Sequence, residues 1–181
     1  PRVLANIATR EGIDPILARA ITEAPIESPA GFLAAEGTTG GAMLFINNGK
    51  TMGNLILSGL LDRFTKLKFV SVESGLGWIP FLLEAVDYQM SETGANAYKL
   101  QRKPSEYFKT NFYACFWFER KNLVHDIRQL GVENVLFETD YPHPICLYPV
   151  DNMDTALDGL TEAEKNLVLS GNAARVYNID L

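Results

Sequence analysis

Short apolar runs alternate with longer segments of helical periodicity along the second half of the chain. Three runs, at 68–73, 111–116 and 134–139, are almost continuously apolar and rich in β-branched and aromatic residues, which is typical of strands buried in a parallel sheet. The intervening segments 79–90 and 119–130 place their apolar residues on one helical face. This alternation predicts an α/β fold with parallel strands and right-handed crossover helices.

The first third of the chain has a weaker pattern. Residues 2–24 predict two short helices, and 27–41, which contain four glycines and a proline, predict a long loop. The apolar run 42–46 fits a strand or a helical turn equally well, and a turn is expected at 47–50. Further helices are predicted for 51–64, 161–170 and 172–177, the second of which begins with a capping box.

Length and charge narrow the class of protein. The 181 residues suffice for one domain, 1–181, in which we leave the helical and loop segment 1–41 unplaced. The net charge of −6 disfavours nucleic acid as a partner. No apolar run approaches the roughly 20 residues of a membrane span, so we expect no membrane partner and a cytoplasmic location. Cys115 and Cys146 are expected to be thiols and not a disulfide.

The most informative segment is 135–144, where an apolar strand ends on polar residues and a proline-punctuated loop follows. Glu138 and Asp140 lie at the strand end, and His143 follows three residues later. Parallel α/β folds place catalytic and metal-binding groups at the carboxyl ends of their strands. This segment therefore predicts a functional site.

Segments 57–64, 67–84, 135–144 and 171–177 together resemble the amidohydrolase-related superfamily, in the branch that contains aminocarboxymuconate semialdehyde decarboxylase and related metal-dependent decarboxylases and hydrolases. The resemblance extends from about residue 41 to the C-terminus. It implies a (β/α)8 TIM barrel, of which this chain carries the C-terminal half with the sixth to eighth strands. A complete barrel needs about 250 residues.

The resemblance implies that Asp140 is the metal-side aspartate at the end of the last strand, where it binds or flanks a divalent cation and accepts a proton. A carboxylate beside a cation stays ionised and can orient or deprotonate a metal-bound water. The alternative is that Asp140 only caps the turn before Tyr141. His143 either assists at the site or has no role in it.

The chain departs from the family pattern at the expected sixth strand. Many members have a metal-binding His followed by Gly there, whereas this chain has Glu73-Ser74-Gly75. A Glu ligand favours magnesium or manganese, or no metal, over zinc. The family's first-strand and fifth-strand His ligands are absent because the first His is His125, so we expect those ligands upstream of Pro1. His125 itself is expected to be a surface residue.

Three further residues are candidates with two interpretations each. Glu138 shares a strand face with Asp140, so it either forms a carboxylate pair with a raised pKa or binds a neighbouring Lys or Arg. Arg120 is a possible carboxylate clamp or a helix-surface residue. Trp78 is a packing anchor or a substrate platform.

From the residues and the resemblance together, we expect a metal-dependent hydrolase or non-oxidative decarboxylase for a small carboxylate-bearing or aromatic substrate. Asp140 and His143 would be catalytic, Asp140 and Glu73 would bind zinc, manganese or magnesium, and Arg120 and Trp78 would bind the substrate. The chain alone is expected to be inactive, and to form a homo-oligomer or pair with a complementary N-terminal half. The alternative is a non-catalytic half-barrel fragment or degenerate homologue that pairs with another chain.

Overall fold

The structure, a computed structural model, describes residues 29–93, 99–143, 146–151 and 153–180. The helices expected at 2–24 lie outside these residues. The chain divides into two compact units, Pro1–Ala42 and Met43–Leu181. Within the described residues no helix is both long enough and apolar enough to span a bilayer.

The second unit is built on a three-stranded parallel sheet. Its strands are β1 (Phe69–Ser71), β2 (Phe112–Phe116) and β3 (Val135–Phe137), in the sheet order β1-β2-β3. The helices are α1 (Pro29–Leu57), α2 (Leu60–Arg63), α3 (Ile79–Thr93), α4 (Pro104–Asn111), α5 (Leu123–Leu130), α6 (Met153–Ala156), α7 (Glu162–Asn166) and α8 (Asn172–Tyr177), with a π-helical turn at Leu167–Gly171 between α7 and α8. The predicted α/β class, parallel pairing and crossover helices are confirmed.

Aromatic side chains fill the core around the central strand β2. Phe112 and Phe116 are 2% and 0% exposed. Each lies beside an aromatic residue of an outer strand, with ring centroids 5.3 Å apart for Phe69 and Phe112 and 5.2 Å apart for Phe116 and Phe137. Such cross-strand aromatic pairs stabilise a sheet beyond the area they bury. They account for the strong β signal in these short segments.

The loop expected at 27–41 is wrong, because helix α1 already begins at Pro29. Around Gly37, Gly40 and Gly41 no neighbouring atom of the described residues lies within 4 Å of the position of a Cβ, so no described segment requires a glycine there for close approach. Glycine in a helix costs roughly 0.5–1 kcal/mol relative to alanine. Propagation of an established helix is much easier than its nucleation, and the buried side chains of Met52 and Ile56 fix the later turns of α1.

The turn expected at 47–50 is also wrong, since these residues continue α1. A Cβ at Gly49 would lie 3.2 Å from the Trp78 ring, so the glycine lets the indole pack directly on the helix. The neighbouring Asn48 donates to the hydroxyls of Ser71 and Ser74 at 2.8 and 2.9 Å. Residue types typical of turns serve here for packing and for hydrogen bonding between segments.

Helices α4 and α5 differ from the expectation. Helix α4 was not predicted, although Pro104 at its first position and Glu106, whose carboxylate accepts the N–H of Lys103 at 2.8 Å, are helix-start signals. Helix α5 begins at Leu123 and not at 119, because Asn122 adopts a left-handed conformation with φ 57°. Residues 117–122 therefore form a loop after β2.

Three asparagine side chains hold the segments that lead into the strands. The amide of Asn111 donates to Thr65 and Leu67, that of Asn134 to Lys109 and Phe112, and that of Asn172 to Val132 and Val135, all to main-chain oxygens at 2.7–3.0 Å. Asn111 and Asn172 are completely buried. These side chains bind carbonyl groups at the amino edge of the sheet and tie the approaching segments to it.

Candidate active site

Acidic side chains gather at the carboxyl edge of the sheet. Glu73 follows β1, Glu119 follows β2, and Glu138 and Asp140 follow β3. Because the three strands are parallel, their carboxyl ends lie along one edge. This edge is where barrels of parallel strands carry their active sites.

Glu138 joins the ends of β1 and β3. Its Oε1 accepts the main-chain N–H of Glu73 at 2.7 Å, and its own N–H donates to the carbonyl of Phe116 at 3.1 Å. Glu73 is exposed and has a left-handed backbone with φ 53°. Among the described residues, the donor to Oε1 of Glu138 is therefore a main-chain amide and not a Lys or Arg side chain.

The environment of Glu138 disfavours its charged form. Burial raises the pKa of Glu138 to about 7, and the negative charges of Glu73 and Asp140 add to this effect. The N–H of Glu73 and the thiol of Cys115 donate to the carboxylate and act in the opposite direction. The side chain of Cys115 is buried, with 4% exposed. This burial is the main cause that raises the pKa of its thiol, and the negative charge of Glu138 raises it further. The expected crowding of carboxylates is therefore present.

Asp140 lies in a close pair with His143. The Asp140 Oδ2 and His143 Nδ1 atoms are 3.2 Å apart, and the carbonyl of Asp140 accepts the N–H of His143 at 2.8 Å. The side chain of Asp140 is 14% exposed, whereas that of His143 is 56% exposed. Asp140 has a left-handed backbone with φ 60°, so the chain turns sharply just after β3. That turn brings the imidazole back to the carboxylate.

Several segments anchor the loop between β1 and α3. Ser74 is buried, its hydroxyl accepts from Asn48 and donates to the carbonyl of Val72, and its own carbonyl accepts the indole N–H of Trp78 at 2.9 Å. The ring of Trp78 packs on Gly49 of α1. These contacts support the interpretation of Trp78 as a packing anchor.

The loop after β2 carries Trp117, Phe118 and Arg120. Nη1 of Arg120 donates to the carbonyls of Trp117 and Glu119, both at 2.7 Å, and Arg120 is exposed. The ring of Trp117 packs edge-on against Phe45 and Phe118, with centroids 6.0 and 5.3 Å away. Arg120 therefore lies in the loop at the carboxyl edge and not on the helix surface.

Three further residues have the environments expected from the sequence. His125 is exposed on α5, as expected for a surface residue. Cys115 and Cys146 are free thiols, which confirms that expectation.

The acidic residues fit a hard cation by their chemistry, since all of their donors are oxygen atoms. Repulsion by the negative charges of Glu73 and Asp140 contributes to the raised pKa of Glu138. A bound cation would offset this repulsion. Within the described part of the chain, however, no three His, Cys, Asp or Glu side chains converge to enclose a metal ion.

Comparison with known proteins decides the family. The model of the Amidohydrolase family matches residues 33–179. The chain belongs to the Amidohydrolase family. The superfamily resemblance of the strand ends and the closing helix is thereby confirmed.

Individual proteins are also similar to the chain. The gamma-resorcylate decarboxylase of Rhodococcus jostii (strain RHA1) is 30% identical over 129 residues, which is 70% of this chain and 38% of that protein. The solved 5-carboxyvanillate decarboxylase LigW from Sphingomonas paucimobilis is 34% identical with a TM-score of 0.60, over 75% of this chain and 41% of that one. The chain thus spans about two fifths of the length of these proteins.

A second solved structure that is similar to the chain contains a metal ion. It is the dihydroxybenzoic acid decarboxylase from Polaromonas sp. JS666 with bound manganese and the inhibitor 2-nitroresorcinol, which is 25% identical with a TM-score of 0.53. The match covers 72% of this chain and 40% of that one. The three-stranded sheet described here is accordingly part of a TIM barrel, as expected.

Sequence reasoning missed two residues at this edge, Asn48 and Glu119. Asn48 lies in a segment whose residue types predict a turn, and no local pattern connects it to Ser71 or Ser74. Glu119 had an indirect signal in the Gly75-Leu76-Gly77 segment, since a glycine beside a strand end permits close approach of another group.

Proposed function

We propose that the protein to which this chain belongs is a divalent-metal-dependent decarboxylase of small aromatic carboxylates. The pairing of Asp140 with His143 at the end of the last strand carries this proposal. It places a mostly buried carboxylate 3.2 Å from a solvent-accessible imidazole, at the edge where such barrels perform chemistry. Similarity to decarboxylases of gamma-resorcylate and 5-carboxyvanillate supports the choice of reaction.

Decarboxylation requires one proton. The bond between the carboxylate carbon and the ring carbon breaks, CO2 leaves, and the electron pair that remains on the ring carbon takes up a proton. Asp140, ionised beside the cation, would relay this proton: its Oδ2 would accept it from Nδ1 of His143, whose ring is exposed to solvent, and pass it to the ring carbon. The sum is aromatic carboxylate plus proton giving the arene plus CO2.

Asp140 and Glu73 would hold the cation through carboxylate oxygens, with further ligands from other strands of the complete barrel. Bound there, a divalent cation would supply positive charge that holds an anionic substrate. Manganese or magnesium suits these oxygen donors better than zinc. Arg120, exposed at the same edge, would bind the substrate carboxylate through its guanidinium group.

The test uses the full-length protein. Metal content after chelation and reloading with Mn²⁺ is measured first, and CO2 release from gamma-resorcylate and from 5-carboxyvanillate is then followed. We expect Asp140→Asn to lower kcat by about 10²–10⁴-fold, the usual contribution of a positioned general acid. Asp154→Asn, at an exposed position of α6, is the matched control and should retain wild-type turnover.

The second candidate is a non-catalytic homologue that serves by pairing with another chain. The exposed Glu73 at the position where many relatives carry a metal-binding His favours it. Absence of bound Mn²⁺ and of CO2 release from both substrates in the wild-type protein would refute the decarboxylase and leave this alternative. Unchanged turnover in Asp140→Asn would refute the assignment of the acid alone.

A further inference from the structure

The carboxylate of Glu119 is enclosed by main-chain N–H groups from two different loops. Its Oε1 accepts from Leu76 at 2.6 Å and from Gly77 at 3.2 Å, both in the loop that follows β1. Its Oε2 lies 3.4 Å from the N–H of Trp117, which follows β2. One side chain thus connects the carboxyl ends of two neighbouring strands through hydrogen bonds to an ionised acceptor, which are stronger than neutral ones.

Gly75 makes this arrangement possible. A Cβ at position 75 would lie 2.5 Å from Glu119 Oε1, so any side chain there would displace the carboxylate. Gly75 also has φ +63°, a conformation that residues with a Cβ rarely adopt. The loop and the carboxylate are therefore shaped to fit each other.

The same loop carries Glu73 only two residues before Gly75. The N–H of Glu73 is held by Glu138 from the β3 side, and Ser74 is held by Asn48 from α1. Glu119 holds the other end of the loop, at Leu76 and Gly77. Glu73 itself has an unfavourable left-handed backbone, which persists only when its surroundings fix it from both sides.

We propose that Glu119 is a positioning residue that fixes the loop between β1 and α3 and thereby sets where the Glu73 carboxylate presents itself to a divalent cation. This inference rests on the proposed role of Glu73 as a metal ligand. Glu119 touches neither the cation nor the substrate. Its effect reaches the site only through the main chain of residues 73–77.

The substitution Glu119→Gln separates the hydrogen bonds to the loop after β1 from the hydrogen bond to Trp117. A glutamine keeps one oxygen for Leu76 and Gly77, but its NH2 group would face the N–H of Trp117, where a donor meets a donor. Glu119→Ala removes both links. Gly75→Ala displaces the carboxylate while keeping it in the chain, so a similar effect from an independent change would identify the contact itself. Glu92→Ala, at an exposed position near the end of α3, is the control.

The experiment measures two quantities on the full-length protein: hydrogen exchange of the Leu76 and Gly77 amides, and the dissociation constant for Mn²⁺ by titration calorimetry. For Glu119→Ala we expect amide protection to fall by about tenfold or more. We expect Mn²⁺ binding to weaken by about 10–100-fold, the usual effect of removing a group that orients a metal ligand. Gly75→Ala should act in the same direction, and Glu92→Ala should change neither quantity.

The outcomes are distinct. Retained amide protection in Glu119→Ala would overturn the inference, and so would lost protection with an unchanged Mn²⁺ dissociation constant. Failure of the wild-type protein to bind Mn²⁺ would instead refute the proposed function and remove the metal role of this loop with it. Gly75→Ala should have a smaller effect on both quantities when it is added to Glu119→Ala than when it is made in the wild type, because the carboxylate with which the new Cβ clashes is then absent.

Discussion

Asn172 provides a quantitative test of how the amino edge of the sheet is held. It begins helix α8, is completely buried, and donates from Nδ2 to the carbonyls of Val132 and Val135 at 2.7 and 2.8 Å. Its Oδ1 accepts from Nη2 of Arg175 at 3.0 Å. The substitution Asn172→Ala removes all three bonds and leaves two carbonyl groups without this donor.

The expected loss follows from the burial of these groups. Leaving a buried hydrogen-bond acceptor without its partner lowers the free energy of unfolding by about 1–3 kcal/mol. The hydrogen bond to the Val135 carbonyl is buried and the one to the Val132 carbonyl is only partly buried, so the Val135 carbonyl should contribute more of this loss. Alanine is a better helix former than asparagine, and this difference offsets a few tenths of a kcal/mol of the lost unfolding free energy. We therefore expect the free energy of unfolding to fall by about 2–4 kcal/mol, and Tm by roughly 5–15 °C for a chain of this size.

The assay is urea unfolding followed by circular dichroism and tryptophan fluorescence. Asn166→Ala, an exposed helical position near the end of α7, carries the same change in helix propensity without a buried bond and should stay within about 0.5 kcal/mol of the wild type. The reasoning would be refuted if Asn172→Ala and Asn166→Ala had equal free energies of unfolding and the dependence of that free energy on urea concentration were unchanged.

Other consequences are accessible to simple measurements. Iodoacetamide at pH 8 should modify the half-buried Cys146 and spare Cys115 in the folded protein, because burial excludes the reagent and raises the Cys115 pKa; mass spectrometry with and without urea checks this. Thr161→Ala should cost about 1 kcal/mol in urea unfolding, because its hydroxyl accepts the N–H of Glu164 at the start of α7. Hydrogen bonds from the N–H of Thr161, then from its hydroxyl and from Arg128, lower the pKa of Glu164 below its usual 4.5. The difference in unfolding free energy between the wild type and Glu164→Gln should therefore be largest above pH 4.5 and should decline as the pH falls below that value. Light scattering of this 181-residue chain should show association, since β1 and β3 are the outer strands of the described sheet.

The sequence was most informative where a local pattern and the tertiary environment favour the same structure. The strand that ends at Phe137 is apolar throughout and is buried as expected, and Gly131 ends α5 with its N–H on the Ile127 carbonyl. The segment 172–177 forms a helix with the predicted bounds. In each case the residue type and its surroundings require the same backbone conformation.

The sequence was least informative where glycine and asparagine serve contacts with distant segments. Gly49 and Asn48 are turn formers by propensity, yet they lie inside α1 because Trp78, Ser71 and Ser74 use them as partners. These contacts join positions more than twenty residues apart. No periodicity within α1 could reveal them, since their cause lies in the arrangement of the sheet.

The two edges of the sheet predict two separable kinds of variant. At the amino edge the amide groups of Asn111, Asn134 and Asn172 donate to main-chain carbonyls of the approaching segments, so loss of these side chains should lower the free energy of unfolding without changing kcat of the folded protein. At the carboxyl edge Glu73 and Asp140 have left-handed backbones, which cost roughly 1–3 kcal/mol each. Asp140→Gly should relieve this strain and raise Tm while turnover falls, because the proposed proton donor is removed together with the strain. A fall in both stability and turnover for Asp140→Gly would show instead that the carboxylate contributes to the stability of this edge as well as to its chemistry.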